Sequence, residues 1–276
     1  VTTVVPRASS LLSEEQLATW RRDGVLHVPG FLAGDALADV VAVVDRIGRR
    51  ADGEDGLLQH YELGDDGAQI CRSEHLIDGH PTLRDLLTDG AMPTMAGELL
   101  GEPAVLYKEK VNYKLAGGAG FAPHQDAPAY PFIDTHTTCM LAIDDATLDN
   151  GCLEVVAGRH AEVLPMDDAG CIRDDIVASL DWYAVPIAAG DLLWFHSRAP
   201  HRSGPNRSPD RRRGLFCTYN AASHGDLRRE YYAEKLARFS AGPEGERTRV
   251  SLIGDFQGIA PTVDQIRQLE RRQARQ

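Results

Sequence analysis

From about residue 103 to about 222 the chain breaks into short β-rich runs: "AVLYKEKVNYKL", "HTTCMLAI", "CLEVVAG", "YAVPI", "DLLWFHS" and "RRGLFCTYNAA". Turn signals such as Asp149-Asn150-Gly151 and Gly190-Asp191 separate them. Short strands at this spacing point to an antiparallel sandwich or barrel rather than βαβ units. Helical patterns lie on either side. Ser13-x-x-Gln16 reads as a capping box opening a helix that Gly24 ends. "VLHVPGF" reads as a short strand, residues 34–50 and 81–101 as helical, and Thr262-x-x-Gln265 as the cap of a charged C-terminal helix. Residues 51–80 are acidic, Gly-rich and weakly periodic; they read as a long loop, either a mobile lid over the pocket or a disordered surface insertion. The fold class expected is mainly β with flanking helices. One domain is expected over 1–276, with a helical N-terminal region over 1–102, a β core over about 103–222 and a helical segment over 223–276.

Composition narrows the partners. The net charge is −12 and the pI about 5.3, which argues against nucleic acid or an anionic membrane as the main partner. Cys71, Cys139, Cys152, Cys171 and Cys217 are odd in number and widely spaced, so neither a disulfide framework nor a structural zinc site is expected. The N-terminal stretch lacks the run of roughly 7–15 apolar residues of a signal peptide, and no stretch approaches the ~18 of a membrane span. A cytoplasmic location is the expectation. Nothing in the sequence specifies an oligomeric state.

The chemistry is concentrated in a few residues. His124 and Asp126 are two apart, so on extended chain both point to one face. They make two-thirds of a facial metal site, and a second histidine from another strand would complete it while leaving positions open. A second His-x-Asp, His224-Gly225-Asp226, follows the last strand, where Asp226 reads as a helix cap. For the distal ligand "FHSRAPHRSGPNRSPDRRRGLFCTY" offers His196 and His201. Arg212 shares a strand face with Gly214, Phe216 and Thr218, where its fork can hold a carboxylate and Ser203 can donate to the same group. Arg211 and Arg213 have the opposite parity and are expected at the surface.

The ordered set "GFAPHQDAPAY", "LDNGCLEVVAGRH", "GDLLWFHS" and "PHRSGPNRSPDRRRGL" resembles the phytanoyl-CoA dioxygenase family of Fe(II)/2-oxoglutarate oxygenases, over about residues 15–225. The resemblance implies a double-stranded β-helix, or jelly roll. It implies Fe(II) on the positions of His124, Asp126 and His201, the far carboxylate of 2-oxoglutarate on Arg212 with help from Ser203, and Asn112 at its near end. O2 is the remaining co-substrate, and succinate and CO2 are the co-products. Halogenating relatives carry Ala or Gly where this chain has Asp126, so hydroxylation is implied. Arg202 departs from the family, which often has Gly there, and would add a cation beside the iron.

Three of the chain's four lysines, Lys108, Lys110 and Lys114, share parity with Asn112 in "YKEKVNYK". In such a barrel one strand face lines the cavity, and Tyr107, Val111, Tyr113 and Leu115 make the opposite face mostly apolar, interrupted by Glu109. Lysines facing inward imply a small anionic substrate, with Lys108, Lys110, Arg202 and Arg198 as candidate contacts. The alternative is an edge strand with its lysines in water. The stretch is also similar to the branch with 2-aminoethylphosphonate-hydroxylating dioxygenases, which implies a phosphonate substrate. Other readings stand beside this one: a natural-product oxygenase performing desaturation, epoxidation or cyclisation, a zinc or manganese hydrolase or isomerase, and a jelly-roll metabolite sensor that is not an enzyme. The hydrolase or isomerase reading gives Arg212 and Ser203 no role.

Overall fold

The computed structural model describes residues 10–130, 132–241 and 250–273. Two antiparallel sheets face each other. The larger runs edge to edge through β1 (Val25–Val28), β9 (Leu192–His196), β6 (Thr137–Ala142), β11 (Arg212–Ala221), β4 (Ala104–Lys114), β3 (Gly67–Glu74) and β2 (Leu58–Gly64). The smaller runs through β5 (Phe121–His124), β10 (His201–Ser203), β7 (Leu153–Val155) and β8 (Tyr183–Val185). This is the jelly-roll class that the short runs and the family resemblance implied.

Alternation along the strands divides the interior into two layers. Val111, Tyr113, Leu141, Leu215 and Cys217 belong to the core shared with α2 (Gly34–Ile47), α3 (Pro81–Thr88) and α4 (Ala91–Leu100), which supply Val43, Val44, Leu83, Leu87 and Met92. Met140, Ala142, Leu153, Val155, Phe195 and Phe216 form a second core between the sheets. The helix α1 (Glu14–Asp23) has its full capping box, with Gly24 in the left-handed region at its C-cap. Thr262 and Gln265 likewise cap α7 (Val263–Gln273). No helix among the described residues is long and apolar enough to cross a membrane. All five cysteines are buried and free.

Three expectations need correction. Residues 51–80 are not a long loop: they hold the β2–β3 hairpin, and β3 pairs with β4 to extend the larger sheet. The N-terminal region, expected to be helical through residue 102, therefore contributes three strands, one of them facing the site. The signal was obscured because β3 buries both faces of "AQICRSE", so its polar residues do not alternate with solvent. Tyr107 also leaves the helix-side layer. It is the extra residue of a bulge, since Thr218 pairs with Lys108 and Tyr219 with Leu106, and its ring packs on Tyr130 and Tyr231.

Glu109, which interrupts the apolar face, is fully buried and completely paired. Its carboxylate accepts from the backbone N–H of Leu76 at 2.7 Å and of Ile77 at 3.2 Å, and from Arg228 Nη2 at 2.6 Å and Nε at 3.0 Å. Arg228 opens α6 (Arg228–Ala241), the next helix after the short α5 (Asp174–Val177), so the contact fastens α6 to β4. Removing one member of a buried, hydrogen-bonded pair typically costs about 3–5 kcal/mol. Glu109→Ala is expected to lose stability of that order, read as a shift of the urea midpoint at unchanged slope. A midpoint within error of the parent would show that the pair contributes nothing.

Candidate active site

Neighbouring strands of the smaller sheet bring His124 and His201 side by side. They are paired Cα partners across β5 and β10, and their ring centroids lie 4.1 Å apart. Asp126 joins them by a different route from the one its spacing suggested. The strand ends at His124, and Asp126 has helical angles (φ −72°, ψ −30°) at the start of a short turn. Its Oδ1 nevertheless stands 3.9 Å from His124 Nε2 and 4.0 Å from His201 Nε2. The three ligand atoms lie within 4.8 Å of one another, a spacing that can hold a metal ion.

The surroundings prepare these atoms for a metal. His124 Nδ1 lies 2.7 Å from the Ala122 carbonyl and His201 Nδ1 lies 3.0 Å from that of Ala199, so each Nδ1 donates and each Nε2 keeps its lone pair toward the centre. Burial, then His124, pushes His201 down to about 4, which leaves it neutral at pH 7 as a ligand must be. Burial opposes ionisation of Asp126, but His201, Lys110, Lys108 and His124 outweigh it and hold the carboxyl well below the usual carboxylate range. Thr138 Oγ1 donates to Asp126 Oδ2 at 3.3 Å, which leaves Oδ1 for the centre.

Two cavities meet at this point. Lys110, His124, Asp126 and Asp255 line both. The first continues past Asn112, Ser203 and Phe216 to Arg212. Arg212 is 2% exposed, and its Nε and Nη2 have no hydrogen-bond partner among the described residues. Burial pushes the guanidinium down to about 10, so it stays cationic and unpaired at neutral pH. Beside it, Lys114 Nζ donates to Ser203 Oγ at 2.8 Å, which leaves the Ser203 hydroxyl hydrogen free to point into the cavity. Lys114 also donates to the Gly151 and Gly204 carbonyls. It faces inward with the other lysines, but its donors are already used. Asn112 Oδ1 accepts from Arg72 Nε at 2.8 Å, so its amide hydrogens remain for the cavity.

The second cavity is bounded by Arg72, Lys108, Lys110, Tyr130, Tyr231 and Lys235. Lys108 is 5% exposed, and its Nζ lies over the Tyr130 ring at 4.0 Å. Lys110 Nζ lies over Phe216 at 5.5 Å. Neither ammonium has an acceptor among the described residues. Burial, reinforced by Lys110, lowers Lys108 well below the usual lysine range; burial, then Arg72, lowers Lys110 to about 8. The edge-strand alternative for these lysines is excluded, because β4 lies between β11 and β3.

Other candidates are placed elsewhere. Arg202 borders the first cavity, but its guanidinium donates to Glu154 Oε2 at 2.7 Å and stacks on Trp182, so its charge is compensated. Arg198 lines neither cavity and reaches the Ala161 carbonyl at 3.3 Å. His224 is exposed, and Asp226 accepts from the Arg228 N–H as a helix cap does. Three residues of the site escaped the sequence reading. Arg72 and Glu74 lie in the stretch taken for a loop. Asp255, whose Oδ2 is 3.2 Å from His124 Nε2, lies in a stretch without a motif.

A jelly roll with two histidines and a carboxylate at the meeting of two cavities, and an unpaired arginine at the end of one, defines an iron- and 2-oxoglutarate-dependent dioxygenase. The chain belongs to the phytanoyl-CoA dioxygenase family, whose profile matches residues 20–214. It is 42% identical over 253 residues to a methylphosphonate hydroxylase of Gimesia maris, covering 91% of this chain and 97% of that one. It is 35% identical to a 2-aminoethylphosphonate dioxygenase of an uncultured bacterium, covering 86% and 92%. Among solved structures it is similar to the epimerase SnoN in complex with Fe3+, α-ketoglutarate and nogalamycin RO, with a TM-score of 0.67, 25% identity, and 91% and 96% of the two chains covered.

The arginine triplet corrects one further expectation. Arg211 is half exposed, but Arg213 is 2% exposed and donates to Asp144 and Asp45, so opposite parity to Arg212 means the helix-side layer rather than the surface. Arg213→Ala should therefore cost about 2–4 kcal/mol, below the full buried-pair figure because both aspartates touch solvent. Arg211→Ala should stay within about 0.5 kcal/mol. Thermal and urea unfolding separate the two; equal losses would contradict this division of the triplet.

Proposed function

We propose that this protein is an Fe(II)/2-oxoglutarate-dependent hydroxylase of a small phosphonate. The observation that carries the reading is the pair of ammoniums, buried Lys108 and half-buried Lys110, with no acceptor among the described residues, on a cavity that also borders the His124 and Asp126 side chains. Buried cations without partners favour an anionic occupant. The similarity to a methylphosphonate hydroxylase and a 2-aminoethylphosphonate dioxygenase supports phosphonate as that anion.

The residues fit the groups this chemistry needs. His124 Nε2, His201 Nε2 and Asp126 Oδ1 offer the two-nitrogen, one-oxygen set that suits iron(II). The unpaired Nε and Nη2 of Arg212 fit the far carboxylate of 2-oxoglutarate, and the Ser203 hydroxyl can donate beside them. The Asn112 amide is left to donate at the near end. When bound, iron, 2-oxoglutarate and O2 supply the oxidation that puts a hydroxyl on a substrate carbon, with succinate and CO2 as co-products. The protein's part is to hold the substrate anion on Lys108 and Lys110, to keep Asp126 ionised, and to exclude water with Phe121, Phe195, Phe216, Tyr130 and Tyr231.

Succinate release should be measured over methylphosphonate, 2-aminoethylphosphonate, phosphate esters, carboxylates and neutral amines. Release is expected with a phosphonate. A charge-assisted contact contributes roughly 1.5–3 kcal/mol, so Lys108→Ala should weaken phosphonate turnover by about 10–100-fold while iron content is kept. Lys110 carries its charge below about 8 and loses it above, so the phosphonate KM should rise as the pH passes that value. Efficient turnover of neutral or cationic compounds with every phosphonate inert would overturn the reading.

A further inference from the structure

We propose that Arg72 is the third cationic donor of the substrate site, and that with Lys108 and Lys110 it selects a three-oxygen phosphonate over a planar carboxylate. This rests on the phosphonate reading above. On β3, Arg72 stands directly opposite Asn112 of β4, and Glu74 opposite Lys110. Directly opposed residues in an antiparallel pair show their side chains on one face, so the hairpin adds Arg72 and Glu74 to the inward row of β4.

The guanidinium is held on three sides and open on the fourth. Nε donates to Asn112 Oδ1 at 2.8 Å, and Nη1 donates to Glu74 Oε1 at 3.3 Å and to the Val250 carbonyl. Its plane lies over Phe121 at 5.5 Å. Nη2 has no partner among the described residues, and the residue is 2% exposed. A buried charged donor left unmade is unfavourable, so this edge is suited to an anion in the cavity that it lines with Lys108 and Lys110. Glu74 does not cancel the excess charge, because it also takes the Lys235 ammonium. Burial opposes its ionisation, but Lys235, then Arg72, His60 and Lys108, hold it well below the usual carboxylate range.

Three donors match the three oxygens of a phosphonate. A carboxylate, with two oxygens and a single charge, would leave one donor unpaired, and sites built for a polar group discriminate strongly against ligands that lack it. The contact to Asn112 adds a second consequence. The guanidinium that meets the substrate also positions the amide facing the Arg212 cavity, so a disturbed Arg72 should let 2-oxoglutarate turn over without product.

The test is binding of methylphosphonate and of acetate, its planar counterpart, to protein loaded with iron and 2-oxoglutarate in the absence of oxygen. The parent protein should favour methylphosphonate by about 100-fold or more. Arg72→Lys keeps a charge near Glu74 but removes the fork; it should lose about 10-fold or more in methylphosphonate affinity and most of the preference over acetate. Under turnover it should release more succinate per hydroxylated phosphonate than the parent. In parent protein loaded with zinc, one guanidinium's side-chain nitrogen signals should shift on adding methylphosphonate, a readout that does not depend on a variant folding. A folded Arg72→Lys protein with parental affinity and preference overturns the assignment, and so does a parent protein whose guanidinium signals stay fixed as methylphosphonate binds. A parent protein that binds no phosphonate overturns the phosphonate reading itself, and this inference with it.

Discussion

Burying one face of β4 is the constraint around which the site is built. Lys108, Lys110, Asn112 and Lys114 cannot enter an ordinary apolar core, because each carries donors that lose water on folding. The fold meets this need differently at each position. Lys114 is satisfied by Ser203 and two carbonyls, and Asn112 by Arg72. Among the described residues, Lys108 receives only the faces of Tyr130 and Tyr231, and Lys110 that of Phe216. Cation–π contacts offset part of the desolvation but leave the ammonium hydrogens unused. The interior is thus cationic on one side of the His124–Asp126–His201 group and guanidinium-capped on the other, with a set of side chains that could hold a metal between them.

The same constraint explains the outer elements. A strand held between β11 and β3 keeps its lysines out of water, so the β2–β3 hairpin takes part in defining the pocket. Helix α6 serves both faces of β4. Arg228 secures Glu109, while Tyr231 and Lys235 reach the cavity lined by Lys108 and Lys110. Sites that need unpaired buried charge require rigid support, since relaxation toward solvent would relieve the strain more cheaply. Here the support is a seven-stranded sheet backed by an apolar helix layer.

Much of this was legible in the sequence, and the exceptions have physical causes. The strand succession gave the fold class, because turn residues punctuate it at Asn150-Gly151 and Gly190-Asp191. Parity placed Lys108, Lys110, Asn112 and Arg212 on cavity-facing rows, since a two-residue period survives in β4 and β11. Parity failed where the backbone departs from a regular strand. Asp126 reaches the centre through a turn, and Tyr107 is re-aimed by a bulge. It also misled at Arg213, because in a sheet covered on both sides the opposite face is another interior. Arg72 and Glu74 were hidden by charge: acidic and glycine-rich flanks gave their strand the composition of a loop. Asp255 had no local signal at all, being brought to His124 only by tertiary packing of the segment that follows α6.

One metal, one 2-oxoglutarate and one phosphonate are proposed to share this centre. The most direct measurement is an anaerobic visible titration. Iron(II) and 2-oxoglutarate are added first, then methylphosphonate or 2-aminoethylphosphonate. A weak charge-transfer band is expected when the first two are present, absent in Arg212→Ala at the same concentrations, with a change in its position or shape when a phosphonate enters beside the metal. A protein that binds iron yet shows no band with 2-oxoglutarate, or a band that no phosphonate alters, would contradict this proposal.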